Sequence, residues 1–295
     1  MAVFHVIGLG SMGLGMALSL LRAGHKVHGL DLNPAQIAKL EEAGGHALAS
    51  TSPQADTLVC VVLNAAQTEA ALFGAEGWSG HLKPGGTILS CATVAPDFAK
   101  RMEAEAQARG FHYLDAPISG GSVRAAEGAL SVMASGTPSA FDGAAEALDA
   151  MAQTVHRLGD QAGPGSAMKA VNQLLAGVHI AAMGEALGFA TSQGLDLARV
   201  LDVIRVSAGT SWMFENRAPH VIEADYTPRS TINIWPKDLG IVTDIAAGAN
   251  LPLPLTEAAL AQYRAAAEAG LGQEDDAAIT KLIASRAGLK LPGDA

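Results

Sequence analysis

The run Phe4-His5-Val6-Ile7-Gly8-Leu9-Gly10-Ser11-Met12-Gly13 decides the fold of this 295-residue chain. A short β-rich apolar segment feeds into G-x-G-x-x-G, and a helical pattern follows from Leu14 to Arg22. Gly8 permits the tight turn out of the strand. Gly10 lets the main chain approach a pyrophosphate, and Gly13 lets the new helix pack on the sheet. The N–H groups and dipole at that helix start predict an anion site built from Gly8, Leu9, Gly10, Ser11, Met12 and Gly13. A second apolar run, Lys26-Val27-His28-Gly29-Leu30, ends at Asp31, about 20 residues past the glycines, where a ribose-binding acid belongs. A carboxylate there accepts from the ribose hydroxyls of NAD and repels the extra phosphate of NADP. The following Leu32-Asn33-Pro34 brings no arginine to offset that repulsion. Asn33, followed by proline, is expected to cap the next helix.

Outward from this run, β-rich and helical segments alternate. Strands are expected at Val3–Ile7, Val27–Leu30, Thr57–Leu63, Thr87–Cys91, His112–Leu114, Leu130–Ala134 and Val155–Arg157. Helical patterns such as Pro34–Ala43, Pro96–Arg109 and Pro138–Met151 lie between many of them. The alternation predicts an α/β fold: a Rossmann-type, doubly wound, mostly parallel sheet over residues 1–162. After Gly163-Pro164-Gly165 the β signal fades, and Ser166 is placed to cap a helix running from Ala167 to about Gln193. Apolar residues occur nearly all round that helix, so burial on every side is expected. Further helical patterns at Leu197–Val206, Leu239–Ala249, Thr256–Glu268 and Ala277–Arg286 make residues 163–295 an all-α domain that opens with the long joining helix. The tail from Leu291 is expected to fray.

Composition narrows the partners. Hydrophobic residues make up 49% of the chain, enough for a large core, and the net charge of -10 argues against nucleic acid or an anionic membrane as partner. Cys60 and Cys91 both sit in apolar runs and read as buried thiols of a cytoplasmic protein. The chain enters a strand at once, without a signal-peptide pattern, and no apolar run is expected to span a bilayer. The histidines show no H-x-x-x-H and the cysteines no C-x-x-C, so no metal is implied.

Four polar clusters carry the chemistry. Ser119-Gly120-Gly121 follows Asp115-Ala116-Pro117-Ile118 and offers a hydroxyl with open backbone N–H groups, suited to a carboxylate or to an ordinary loop. Lys169, Asn172 and Gln173 stand at i, i+3 and i+4 on the long helix and share one face. An ammonium on an apolar helix is costly to bury, and a desolvated lysine suits acid–base work; a lysine snorkelling to water is the alternative. In Trp235-Pro236-Lys237-Asp238-Leu239, Asp238 suits a first helical turn while Lys237 opposes the dipole, which hints at a functional charge. Thr210–Arg217 mixes polar and aromatic residues and would line a pocket or fill a corner.

With these clusters in place the chain resembles the β-hydroxyacid dehydrogenase family. The resemblance rests on Gly8–Met16, Asp115–Gly121, Gly163–Lys169 with Asn172, and Lys237-Asp238-Leu239, four motifs in order over nearly the whole chain. It implies an NAD-dependent oxidation of a small hydroxy acid. Lys169 would be the general acid–base, with Ser119, Gly120, Gly121, Asn172 and Gln173 at the substrate. Thr93, Lys237, Leu63, Asn64 and Asp31 would join the glycine turn around NAD. Separately, the long helix is apolar on more faces than one small helical domain could cover, which predicts a homodimer or homotetramer. Gln173 stands where the family often has a second asparagine, and Trp235-Pro236 is unusual before Lys237. Dehydrogenases of 3-hydroxyisobutyrate type, tartronate semialdehyde reductases and imine reducers are the nearest alternatives. A non-catalytic NAD sensor is the alternative of another class.

Overall fold

The computed structural model describes residues 1–294, which divide into two compact units, one of Met1–Lys169 and one from Ala170 onward. The first unit opens with β1 (Val3–Ile7), α1 (Gly13–Arg22), β2 (Lys26–Leu30), α2 (Pro34–Glu42) and β3 (His46–Ala47). It continues with β4 (Ala55–Cys60), α3 (Ala65–Phe73), β5 (Leu82–Ser90), α4 (Pro96–Ala108) and β6 (His112–Asp115). All neighbouring pairs are parallel, in the order β3-β2-β1-β4-β5-β6, so this is the expected doubly wound sheet.

The strands are apolar on both faces, as a sheet covered on both sides requires. Phe4, Val6, Val59, Leu89 and Leu114 point into one core with Met16, Leu20 and Phe141. Their alternates Ile7, Leu58, Ile88 and Tyr113 point into a second core with Met102 and Phe98. Each fully buried side chain of this size contributes ~1.5–3 kcal/mol.

Three corrections concern the sheet. β7 (Ile118–Ser119), β8 (Leu130–Ala134) and β9 (Ala152–Arg157), with α5 (Gly121–Glu127) and α6 (Pro138–Met151) between them, form a separate three-stranded sheet. β8 and β9 therefore do not extend the main sheet. An antiparallel bridge, Asp115 to Ser135, links the end of β6 to the residue after β8. The third expected strand stops at Cys60 rather than Leu63, and β5 starts five residues early, across Pro84-Gly85-Gly86. A register shift opposite Ala55–Thr57 absorbs those turn-like residues. β3 and β7 are two residues long, too short to show periodicity.

One row on the sheet is polar. His5, His28 and His46 stand in register on β1, β2 and β3. The rings of His5 and His28 meet edge to face at 5.9 Å, and Trp78 packs edge-on against His5. His5 Nε2 donates to the carbonyl of Pro53 at 2.9 Å, while Nδ1 is buried with no partner. Burial lowers the His5 pKa to about 4, and the neighbouring His28 and His81 add to the effect.

The helix α7 (Pro164–Ser192) begins in the first unit. Ser166 lies inside its first turn and does not cap it. The helices α8 (Leu197–Ile204), α9 (Trp212–Ile222), α10 (Ile234–Gly248), α11 (Pro254–Ala266) and α12 (Ile279–Ala287) complete the second unit. α9 escapes the periodicity because Pro219 interrupts it. α10 starts five residues before Leu239, which puts Asp238 beyond the first turn. Among the described residues no strand occurs here; one isolated bridge joins Thr231 to Asp275. The tail is tied down: Leu291 is buried in the core and its N–H donates to Asp294 at 2.8 Å.

α7 is long and apolar enough to cross a membrane by length and composition, contrary to the expectation that no run is. It is not buried on every side either. Ile180, Met183 and Leu187 enter the core of the second unit, while Met168, Val171, Leu175 and Phe189 form an exposed apolar stripe at helical spacing.

The His5 shift makes stability depend on pH. The unfolded chain takes up the proton near pH 6.5 and the native chain only near 4. Stability therefore falls as pH drops through that window, by ~1.4 kcal/mol per pH unit for one such proton. Denaturant melts at pH 7, 5.5 and 4.5 should show this slope, and His5→Gln should flatten it.

Candidate active site

In the first unit the glycine turn is built by close approach. Gly8 has φ +89°, and a Cβ there would lie 2.3 Å from the carbonyl oxygen of Val61. A Cβ on Gly13 would stand 1.8 Å from the carbonyl oxygen of Gly8. A Cβ on Gly10 would meet nothing within 4 Å, so that face is open for a phosphate to approach. No side chain caps α1, so its first N–H groups and dipole face the same opening. This turn fits a dinucleotide.

Asp31 braces the turn. Its Oδ2 accepts from the Leu9 N–H at 2.6 Å and its Oδ1 from the Asn33 N–H at 2.8 Å. Each oxygen keeps a lone pair for a ribose hydroxyl. Asn33 caps α2 by accepting from Ala35. Asn64 caps α3 by accepting from Gln67, whose side chain returns to the Leu63 N–H at 3.0 Å. Asn64 Oδ1 and the Leu63 N–H are thus both engaged inside this turn. Thr93 lies half-buried in the loop after β5.

The structure joins two clusters that are about 50 positions apart in sequence. Lys169 is buried, and its Nζ donates to the Ile118 carbonyl at 2.8 Å. The next residues are Ser119, Gly120 and Gly121; the last two have φ +136° and +76°. Gly121 is exposed, and a Cβ there would meet open space. The lysine is therefore not a snorkelling surface residue.

In the second unit Asn172 Nδ2 donates to Gln173 Oε1 at 2.9 Å. Gln173 is buried and donates through Nε2 to Asp238, which also holds Lys237. Gln173 thus spends both ends of its amide inside the protein, and Asn172 keeps its carbonyl oxygen to accept a hydroxyl. The Lys237–Asp238 pair, not a helix dipole, answers the charge of Lys237.

Two residues of these clusters serve the fold. Ser211 caps α9 by accepting from the Phe214 N–H at 3.0 Å. Trp235 is core: it stacks on Tyr263 at 5.5 Å and donates Nε1 to the buried Asp276 at 3.1 Å. Asp276 also pairs with Arg217 at 2.6 Å, so the Thr210–Arg217 segment is partly a packed corner.

Asp115 opens the Asp115–Gly121 motif, and the sequence alone gives it no task. It is almost completely buried and accepts from Gly163, Ser166 and Ser135. A lone acid at the end of an apolar strand, facing no nearby cation in sequence, was the available signal.

Comparisons with known proteins place the chain in a family. The model for the NAD binding domain of 6-phosphogluconate dehydrogenase matches residues 4–159. The model described as NAD-binding of NADP-dependent 3-hydroxyisobutyrate dehydrogenase matches residues 163–283. The chain is 47% identical to an L-threonate dehydrogenase of Cupriavidus necator, over 98% of each chain. It is 45% identical to an L-threonate dehydrogenase of Escherichia coli, over 98% of this chain and 97% of that one. A crystal structure of a 3-hydroxyisobutyrate dehydrogenase from Salmonella typhimurium superposes with TM-score 0.90 at 44% identity, covering 96% of this chain and 100% of that one. The chain belongs to the β-hydroxyacid dehydrogenase family. Its activity is that of an NAD-dependent oxidoreductase acting on a hydroxy acid.

Proposed function

We propose that this enzyme oxidises L-threonate to its 2-oxo acid, 2-dehydro-L-erythronate, and that Lys169 is the general acid–base. The observation that carries the reading is the buried Lys169 amine on the Ile118 carbonyl, next to the Ser119 loop. Relatives similar along nearly the whole chain are L-threonate dehydrogenases, which favours that substrate. The 3-hydroxyisobutyrate reading is the second, supported by the name of the Salmonella structure.

NAD, when bound, accepts the hydride that leaves the substrate carbon. The rest falls to this chain. Ile118 fixes the amine, and neutral Lys169 takes the hydroxyl proton as the C–H bond breaks and the C=O bond forms. Ser119, Gly120 and Gly121 hold the carboxylate with uncharged donors, which suits a chain of net charge -10. Asn172 orients a hydroxyl through its open carbonyl. Gln173 supports Asn172 from behind rather than touching substrate. The Gly8–Gly13 turn takes the pyrophosphate, Asp31 the ribose, and Leu63, Asn64, Thr93 and Lys237 the remaining cofactor contacts.

We read residues 1–162 as the cofactor domain and residues 163–295 as the substrate and assembly domain. The protein works in the cytoplasm, in keeping with two buried, unpaired thiols, Cys60 and Cys91. It assembles as a homodimer or homotetramer through the stripe of Met168, Val171, Leu175 and Phe189, whose exposure is unusual for side chains of this size and spacing. Light scattering at micromolar concentration should give a mass of at least twice 30.0 kDa; a monomer overturns the assembly.

Lys169→Ala should lower kcat by about 10²–10⁴-fold, with NAD affinity within about twofold. A variant with near-native kcat rules out the general-base role.

L-threonate should exceed 3-hydroxyisobutyrate in kcat/KM by ~10-fold or more, because the latter's methyl group leaves polar groups unpaired. NAD should exceed NADP, and Asp31→Ser should narrow that gap. A steady-state panel of both acids with both cofactors decides the substrate and the cofactor preference separately.

A further inference from the structure

Helix α7 begins with backbone donors that need partners. Its own preceding residues do not supply them. Asp115 Oδ2 accepts from the Gly163 N–H at 3.0 Å and the Ser166 N–H at 2.9 Å, while Oδ1 accepts from the Ser166 hydroxyl at 2.7 Å. Ser135 Oγ accepts from the Gly165 N–H at 2.9 Å and itself donates to Asp115 at 3.3 Å. Asp115 and Ser135 also exchange backbone hydrogen bonds of 3.0 and 2.8 Å. All of these groups are buried. A further buried carboxylate, Glu103, accepts from the Ala162 N–H at 3.1 Å, just before the helix.

The cap stands three residues before the Ile118 carbonyl on one chain segment. Ser166 stands three residues before Lys169 on the other. Two rungs therefore tie the same pair of segments, Asp115 to Ser166 and Ile118 to Lys169. The first rung sets the rotation and height of α7, and with them the place of the lysine amine. A helix free to slip or fray by one residue turns Lys169 about 100° away from Ile118.

We propose that Asp115 is a positioning residue for catalysis: as a non-local cap on α7, it holds Lys169 against the Ile118 carbonyl at the Ser119 loop. The inference rests on Lys169 as the general acid–base. Asp115 is almost completely buried and its oxygens are taken up by the start of α7 and Ser135, so it acts on the chemistry through the helix. Its loss acts on the reacting geometry, where displacement of about 1 Å costs on the order of 10²-fold.

The test uses Ser166→Ala, Asp115→Asn, Asp115→Ala and Lys169→Ala, each with NAD, and Ser166→Ala combined with Lys169→Ala. Asp115→Ala should lower kcat by about 10–100-fold and Ser166→Ala by about 3–10-fold, with KM and the Kd for NAD within about twofold. Asp115→Asn should keep kcat within about fivefold of the wild type, because its amide carbonyl still accepts from both N–H groups. In the Lys169→Ala background, Ser166→Ala should cost nothing further in residual turnover. Should Asp115→Ala fail to fold, Ser166→Ala and Asp115→Asn read the same rung. An inactive Lys169→Ala beside an unaffected Ser166→Ala overturns this inference alone, as does a Ser166→Ala loss of equal size in both backgrounds. A Lys169→Ala enzyme with native turnover overturns the general-base reading and this inference with it.

Discussion

Every helix start leaves backbone N–H groups without partners, and this chain answers that constraint in two opposite ways. At α1 the donors stay open, with no side-chain cap and with the unobstructed face of Gly10 before them. At α7 they are filled, by Asp115 and Ser135 from distant strands. An open start is an anion site, and a filled start is an anchor. The dinucleotide turn uses the first and the lysine helix the second.

Charge follows the same economy. The chain carries ten more negative than positive formal charges, yet the two lysines of its motifs are each held by a specific oxygen. Lys169 meets the neutral Ile118 carbonyl, and Lys237 meets the Asp238 carboxylate. A neutral acceptor directs an amine without neutralising it or demanding that it stay charged, which suits a group that must pass a proton. A carboxylate keeps its lysine cationic, which suits a fixed counter-charge. The two lysines thus sit on different kinds of oxygen, a main-chain carbonyl and a carboxylate.

The polar residues of the second unit carry bonds within the protein that no local pattern shows. Gln173 and Ser211 look equally available in sequence. Both are committed, Gln173 to Asn172 and Asp238, and Ser211 to the first turn of α9. Trp235 stands beside Lys237 in sequence, yet it packs on Tyr263 and bonds to Asp276. Satisfying a buried polar group comes first, because leaving it unpaired costs about 1–3 kcal/mol.

By itself the sequence determined what depends on local steric and periodic rules. The glycine turn, the acid after β2, the alternation of strands and helices and the cap at Asn33 all follow from the short-range conformational needs of those residues. Tertiary structure decided what depends on pairing across long separations. It moved β8 and β9 into a second sheet, because a two-residue strand and the Asp115–Ser135 bridge turn the chain away from the first. It started α7 at Pro164 rather than after Ser166, because the cap comes from Asp115, about 50 residues earlier, where no local pattern can register it. It also left one stripe of α7 exposed, since an apolar helix reads the same in sequence whatever covers each face.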